Sequence, residues 1–331
     1  MVRLRVGIVG GGFAAGHHVK GWRANKAKVV AVSDIAVERA RVFAESHGIP
    51  RYFSSLEEML KDVELDVVSI CTPPQTHREV AVKVAQANAN MFVEKPLATS
   101  YSDAAEILNV ARSKGVKVGV VSNYLYTPVS IKARRLVREG VIGPVCRVDI
   151  AVYAPREVVL ARSGGWLESL PGHVFGEVLP HAIYILQDII GKLDVVSVDF
   201  SRLSEGGWTL YDELYAVLRG ERGVGRLTIS YNARRFDIYV YVEGEKGSLI
   251  YNPVGKIISR LSTSWRWASN LLSLKPYLEL GFDHIFNRAP RDPFAENIGD
   301  FIRLLERRDD DHLDMLLNQV RVYEEILREY R

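Results

Sequence analysis

The chain has little cysteine: Cys71 and Cys146 are the only two in 331 residues. That excludes a disulfide-built scaffold. Both fall in apolar, strand-like runs, so two buried, reduced thiols are expected. There is no apolar run of about 18 residues, hence no expected transmembrane helix and no membrane partner. Neither sign of charge dominates, with 43 basic residues against 40 acidic and a net of +3. A general nucleic-acid binder needs a basic surplus, so no nucleic-acid partner is expected either. No internal repeat and no low-complexity segment is visible. The opening MVRLRVGIVGGGF runs straight into a strand and a glycine turn. It lacks the apolar core and cleavage site of a signal peptide, and a cytoplasmic location is the expectation.

What is present is globular: 47% hydrophobic and 25% charged residues, in a length that suits two domains. Over residues 1–122 short apolar runs recur at Leu4–Val9, Val29–Ser33, Asp66–Cys71, Met91–Val93 and Val116–Val121. They are rich in valine and isoleucine and do not alternate with polar residues, as strands buried on both faces do not. Helical stretches separate them. Val37, Ala40, Phe43 and Ala44 share one helical face, and Gly48 and Gly115 each follow a helix end. SLEE (55–58) and THRE (76–79) have the form of capping boxes. Strand–helix alternation of this kind predicts a parallel sheet with helices on both faces.

After Pro128 the pattern changes. A helix to Glu139 is followed by strand-like runs at Val145–Tyr153, Val195–Ser201, Leu214–Leu218, Leu227–Tyr231, Ile238–Glu243 and Ser248–Tyr251, with one helix over Val178–Ile190 between them. Strands in succession predict a mostly antiparallel, open sheet in an α+β domain. Its uncovered face or edge suggests pairing between copies, as a homodimer or homotetramer. The expected division is 1–122 and 123–331, with closing helices over 294–329 able to fold back on the first domain. Residues 254–290 resist assignment.

GIVGGGFAAGHH follows the first strand and opens a helix. Gly10, Gly12 and Ala15 fit the dinucleotide pattern: a tight turn, a close approach of backbone to pyrophosphate, and a small residue where helix meets strand. Phe13 and Ala14 then sit in the first helical turn, whose N–H groups face the phosphates. Asp34 closes the second strand, 24 residues after Gly10, where a carboxylate accepts from the adenosine ribose. Its charge repels a 2′-phosphate, and Ile35 and Ala36 offer no arginine to offset it. NAD is therefore expected over NADP, with Arg39 the nearby cation able to swing in.

CTPPQTH (71–77) and VEKPLATS (93–100) end the next two strands. Ligands bind beyond the carboxyl ends of parallel strands, so both segments are expected at one crevice. Pro96 holds Lys95 in extended geometry or in a cis bond. Taken with DVVSICTPPQTHREVAVKVAQANANMFVEKPLATSYSDAAEI, VSNYLYTPVSIKARRLVREGVIGPV and VEGEKGSLI, these segments resemble the glucose–fructose oxidoreductase, inositol dehydrogenase and MocA family. The EKP tripeptide is the most specific element. The resemblance implies a Rossmann domain, an open-sheet domain, and NAD(P)-linked chemistry on secondary hydroxyls of sugars, sugar derivatives or cyclic polyols. It implies that Lys95 is the active-site lysine near the nicotinamide ribose and the substrate, and Glu94 beside it is a candidate cofactor contact. Thr72, Pro73 and His77 would form the loop along the cofactor, and Asn123 would lie near the nicotinamide.

The family's second signature is an aspartate and, four residues on, a histidine. Here LPGHVFGEVLPHAIYILQDIIG has Glu177 and His181. Positions i and i+4 share a helical face, and an imidazole, ordinarily titrating near ~6.5, can take a hydroxyl proton. Lys95, His181 and Glu177 are thus the expected catalytic group. Glu177 departs from the usual aspartate, and Pro180 precedes the histidine. His173, Glu177 and His181 are spaced by four, but Pro171 and Gly172 disturb the first turn and no further ligand stands nearby, so no metal is expected. Arg162, Trp166, His173 and Tyr184 are candidate substrate contacts. The aromatic and basic stretch 259–278 has the composition of a membrane-surface helix, but reads rather as a cover over the site or a subunit contact. Two other outcomes of the same scaffold stay open: a lyase or glycosidase working by transient oxidation, and a cofactor-binding regulator without catalysis.

Overall fold

A computed structural model describes residues 3–157, 167–205, 209–255, 257–262, 292–307 and 309–330. Two compact units are present, residues 1–123 with 292–320 and residues 124–291 with 321–331.

The first unit is built on six strands: β1 (Arg5–Val9), β2 (Lys28–Ser33), β3 (Tyr52–Phe53), β4 (Val67–Ile70), β5 (Asn90–Val93) and β6 (Val118–Val120). All pair in parallel, in the order β3-β2-β1-β4-β5-β6. Residues of β1, β4 and β5 are buried almost without exception, which is why their sequences do not alternate. The connecting helices are α1 (Phe13–Ala24), α2 (Val37–His47), α3 (Leu56–Asp62), α4 (His77–Gln86) and α5 (Tyr101–Lys114). Gly48 and Gly115 end α2 and α5 in left-handed geometry.

Capping departs from expectation in two places. Ser55 accepts from Glu58 N–H at 3.2 Å, but the Glu58 carboxylate turns to the Ser54 hydroxyl, so only half of the box forms. Thr76 caps nothing with its side chain; its hydroxyl bonds to Pro73 O and Thr72 Oγ1 within the preceding turn. The short 3-10 turn Pro74–Thr76 already satisfies this helix start.

In the second unit, α6 (Pro128–Arg138) precedes seven strands: β7 (Val145–Pro155), β8 (Leu193–Ser201), β9 (Glu213–Gly220), β10 (Gly223–Ser230), β11 (Asn232–Gly244), β12 (Gly247–Asn252) and β13 (Ile257–Ser262). Their order is β13-β12-β11-β7-β10-β9-β8. Every pairing is antiparallel except β7 with β10, which makes the sheet mixed. The helix α7 (Val174–Ile190) lies against β7 and β10, burying Leu179, Ile183, Leu186 and Ile190 with Val148, Val152, Leu227 and Ile229. It begins one turn earlier than its periodicity suggests, with His173 at its N-cap. Cys146 is exposed, against expectation, because it sits in the irregularity that opens β7, where pairing with β11 steps from Arg147↔Glu243 to Val145↔Gly244 and passes over it.

Two further helices are α8 (Pro293–Leu305) and α9 (Asp311–Leu327). In the first unit α8 packs on α1: a Cβ on Gly21 would lie 2.7 Å from Ile298 Cδ1, so glycine there allows the approach. Among the described residues no helix is long and apolar enough to cross a membrane.

Candidate functional site

Register places the first unit's chemistry. Val9 aligns with Ser33 and Ile70, Ile70 with Val93, and Val93 with Val120. The residues that follow, Asp34, Gly10, Cys71 and Glu94, therefore emerge side by side along the carboxyl rim of the sheet. These four positions, three of them expected at the site (Gly10, Asp34 and Glu94), reach this rim from separate stretches of sequence because the strands end in register.

Gly10 turns the chain sharply. Its N–H donates to Ser33 O at 2.8 Å, its φ is +90°, and a Cβ would lie 2.9 Å from Cys71 O. Only glycine fits without displacement. Gly12 begins α1 with no side-chain cap and no acidic residue in the first turn. Among the described residues, a Cβ on Gly12 would meet nothing within 4 Å. Uncapped N–H groups over open space suit a pyrophosphate. Phe13 is 86% exposed and Ile35 96% exposed, apolar surface flanking the turn and Asp34. Ala14 is half-buried and Ala15 fully buried where the helix meets the sheet.

Asp34 is buried, and its carboxylate is partly engaged by its own turn. Oδ2 accepts from Gly11 N–H at 2.9 Å and Oδ1 from Ala36 N–H at 2.9 Å, and Arg39 Nη1 stands 3.3 Å from Oδ1. The same Arg39 nitrogen lies 3.4 Å from Oδ2, so a ribose hydroxyl would take the acceptor sites that this exposed guanidinium holds. The residues present fit a dinucleotide.

On the next two strand ends, Thr72 is half-buried and Pro73 exposed. His77 is fully buried and does not offer its ring to a ligand. Its nitrogens lie 2.9 Å from Pro96 O and 2.9 Å from Thr72 O, tying the two rim loops together. Burial pushes its pKa below the ordinary value, opposed by the two carbonyls. The Lys95–Pro96 bond is cis. Glu94 and Lys95 are half-buried at the surface of the rim, as is Asn123, the last residue of this part of the unit.

Sequence reasoning missed what lies behind Glu94. His18 is fully buried on α1, with Nε2 at 2.9 Å from Glu94 Oε1 and Nδ1 at 3.1 Å from Ser69 Oγ. Trp22 Nε1–H donates to the same Ser69 oxygen at 2.7 Å. Ala15, His18, Val19 and Trp22 share the inward face of α1, and that spacing was a signal available in the sequence. Burial raises the Glu94 pKa, but the hydrogen bond and charge of His18, with Lys95 and His77, outweigh it and hold the carboxyl below its usual range. Burial pushes the neighbouring Cys71 thiol well up, with the Glu94 charge adding to it.

In the second unit His181 projects from α7, with Nδ1 2.9 Å from the Tyr184 hydroxyl and its ring edge-on to Tyr124, centroids 4.8 Å apart. Tyr184 is itself buried, and its oxygen also accepts from Tyr124 N–H at 3.2 Å. It holds His181 rather than presenting a surface to substrate. Glu177 is half-buried; burial first, and then its charge, raise the pKa values of the Tyr231 and Tyr323 hydroxyls. His173 is exposed at φ +50°, its ring 5.7 Å from that of Tyr330. Arg162 and Trp166 lie outside the described residues, as does most of the stretch 259–278.

Residues 4–122 match a family described as "Oxidoreductase family, NAD-binding Rossmann fold", and residues 130–250 match the "GFO/IDH/MocA C-terminal domain". The chain is 33% identical over 259 residues to the uncharacterized oxidoreductase YrbE of Bacillus subtilis, covering 74% of this chain and 73% of that one. It is 28% identical to the 1,5-anhydro-D-fructose reductase of Ensifer adhaerens, over 77% of this chain and 80% of the relative. A crystal structure of an NAD-binding oxidoreductase from Klebsiella pneumoniae superposes with a TM-score of 0.84 at 20% identity, covering 100% of this chain and 98% of that one. The chain belongs to the Gfo/Idh/MocA oxidoreductases, whose first domain is an NAD-binding Rossmann fold.

Proposed function

We propose that this protein is an NAD-dependent dehydrogenase or reductase acting on a secondary hydroxyl or keto group of a sugar, a sugar derivative or a cyclic polyol. The observation that carries the reading is the rim of the first sheet, where an uncapped glycine turn, Asp34 and the Glu94–Lys95 pair lie on adjacent strand ends. The relative named as an anhydrosugar reductase supports the substrate class.

Oxidising a carbinol takes a hydride from carbon and a proton from oxygen. NAD, when bound, supplies the hydride-accepting chemistry. This chain must hold the oxygen and give the proton a destination. Gly10 and Gly12 seat the phosphates; Phe13, Ala14, Thr72, Pro73 and Asn123 border the cofactor, and Asp34 takes the adenosine ribose. His77 keeps the Thr72 and Pro96 loops in place. Lys95 orients the substrate oxygen and favours its anionic form. His181, aligned by Tyr184, takes the proton. Glu177 assists, and Arg162, Trp166 and His173 contact substrate. We assign the cofactor to residues 1–122 and the substrate to 123–331.

The outward face of the second sheet carries Tyr153, Tyr215 and Val224, all exposed, and fits a homodimer or homotetramer in the cytoplasm. Light scattering tests the assembly, and cell fractionation tests the location. A panel of sugars, inositols and nucleotide sugars, followed by NADH absorbance, tests the activity. No turnover of any of them in either direction contradicts the reading.

A further inference from the structure

Indole nitrogen can only donate, and it anchors the group of side chains behind Glu94. Trp22 Nε1–H occupies one lone pair of Ser69 Oγ at 2.7 Å. The same oxygen lies 3.1 Å from His18 Nδ1 and holds that side of the ring, its second lone pair and its own proton both being able to meet this nitrogen. An ionised carboxylate can only accept, so the His18 nitrogen that faces it, Nε2, carries a proton and donates it to Glu94 Oε1 at 2.9 Å. Glu94 Oε2 accepts from Lys95 N–H at 3.2 Å. The Glu94 side chain keeps 13% of its surface exposed, and that edge alone can meet a ligand. Phe92 and Phe294 flank the His18 ring, so water does not compete for its hydrogen bonds.

We infer that His18 is a positioning residue for the nicotinamide half of the cofactor: held by Ser69 and Trp22, it aims the Glu94 carboxylate along the rim beside Lys95. The inference rests on the cofactor reading above. His18 touches no cofactor atom; it acts through Glu94. The ionisable groups around the pair are Lys95 on the same loop, His77 and Cys71 from the β4 end, and His17 on α1, whose ring stacks on Phe294.

The test compares binding of NADH and of ADP-ribose, which lacks the nicotinamide, by calorimetry on the full chain. His18→Ala should weaken NADH by about tenfold, the scale of one charge-assisted hydrogen bond, and leave ADP-ribose within about twofold. The amide of His18→Gln reaches the position of Nε2 and should restore most of the loss. That of His18→Asn reaches only the position of Nδ1, toward Ser69, and should not. Loss of the His18 donor also leaves burial to raise the Glu94 pKa, so NADH affinity in His18→Ala should fall at a higher pH than in the wild type. Equal loss for NADH and ADP-ribose, or His18→Asn performing as well as His18→Gln, overturns the inference. Wild-type protein that binds neither molecule overturns the cofactor reading and the inference with it; wild-type binding with unchanged His18→Ala overturns the inference alone.

Discussion

Asp34 and Gly11 are joined by a 2.9 Å hydrogen bond from backbone to carboxylate, across the turn that follows the first strand. The residue proposed to select the cofactor is thus bonded to the turn proposed to seat it. With Arg39 Nη1 at 3.3 Å, Asp34 holds a neighbouring cation that a 2′-phosphate would otherwise draw on. Asp34→Ser should lower kcat/KM for NAD about tenfold and raise it for NADP as Arg39 is released. Steady-state kinetics with both cofactors measures the ratio, and an unchanged ratio contradicts the assignment.

Gly10→Ala should damage both fold and site. At φ +90° an alanine is strained, and its Cβ would press on Cys71 O at 2.9 Å. The expected cost is about 1–3 kcal/mol in denaturant unfolding, with loss of NADH binding. A stable variant with normal affinity would show that the turn tolerates a side chain.

Tyr184→Phe removes the oxygen that serves both Tyr124 N–H and His181 Nδ1. The imidazole loses its alignment while its helix remains packed. We expect kcat to fall about 10–100-fold with a smaller change in substrate KM, and the pH profile of kcat to shift. A profile superimposable on that of the wild type would remove His181 from the proton transfer.

Stability should weaken as pH falls below neutrality. His312 donates from Nε2 to Val118 O at 3.1 Å, and its buried Nδ1 has no hydrogen-bond partner among the described residues. Burial lowers its pKa, and burial also lowers that of His77. Both rings take up a proton less readily in the folded state than in the unfolded chain, which protonates near ~6.5, so stability is present above that value and weakens as pH falls below it. Glu94, held below the carboxylate range, contributes in the same direction but in a more acid window. Melting temperature should drop by several degrees between about pH 7.5 and pH 5.5, and His312→Gln, which keeps the donor, should flatten the drop. Parallel curves for wild type and variant would contradict it.

Much of the fold was readable because burial on both faces writes uninterrupted valine and isoleucine runs, as in β1, β4 and β5. The strand β3 was missed because two residues, Tyr52 and Phe53, carry no periodicity. Cys146 was misjudged because the irregularity that opens β7 is set by its pairing with β11, a partner about a hundred residues away in sequence. The glycine turn, Asp34 and Lys95 follow local rules of backbone and strand ends, and sequence displays those. The Trp22–Ser69–His18–Glu94 chain joins residues 47, 51 and 76 apart, and such partners are set by the stacking of helix on sheet. Likewise, Tyr184 shows its role only once the helix places its hydroxyl beside His181.

The most direct test of the account is the initial rate of NADH formation with a sugar or polyol substrate, compared among wild type, Lys95→Ala and His181→Ala. The account predicts measurable turnover by the wild type and a fall of about 100-fold or more in each variant, with NADH binding retained by His181→Ala. Undiminished turnover in both variants would contradict it.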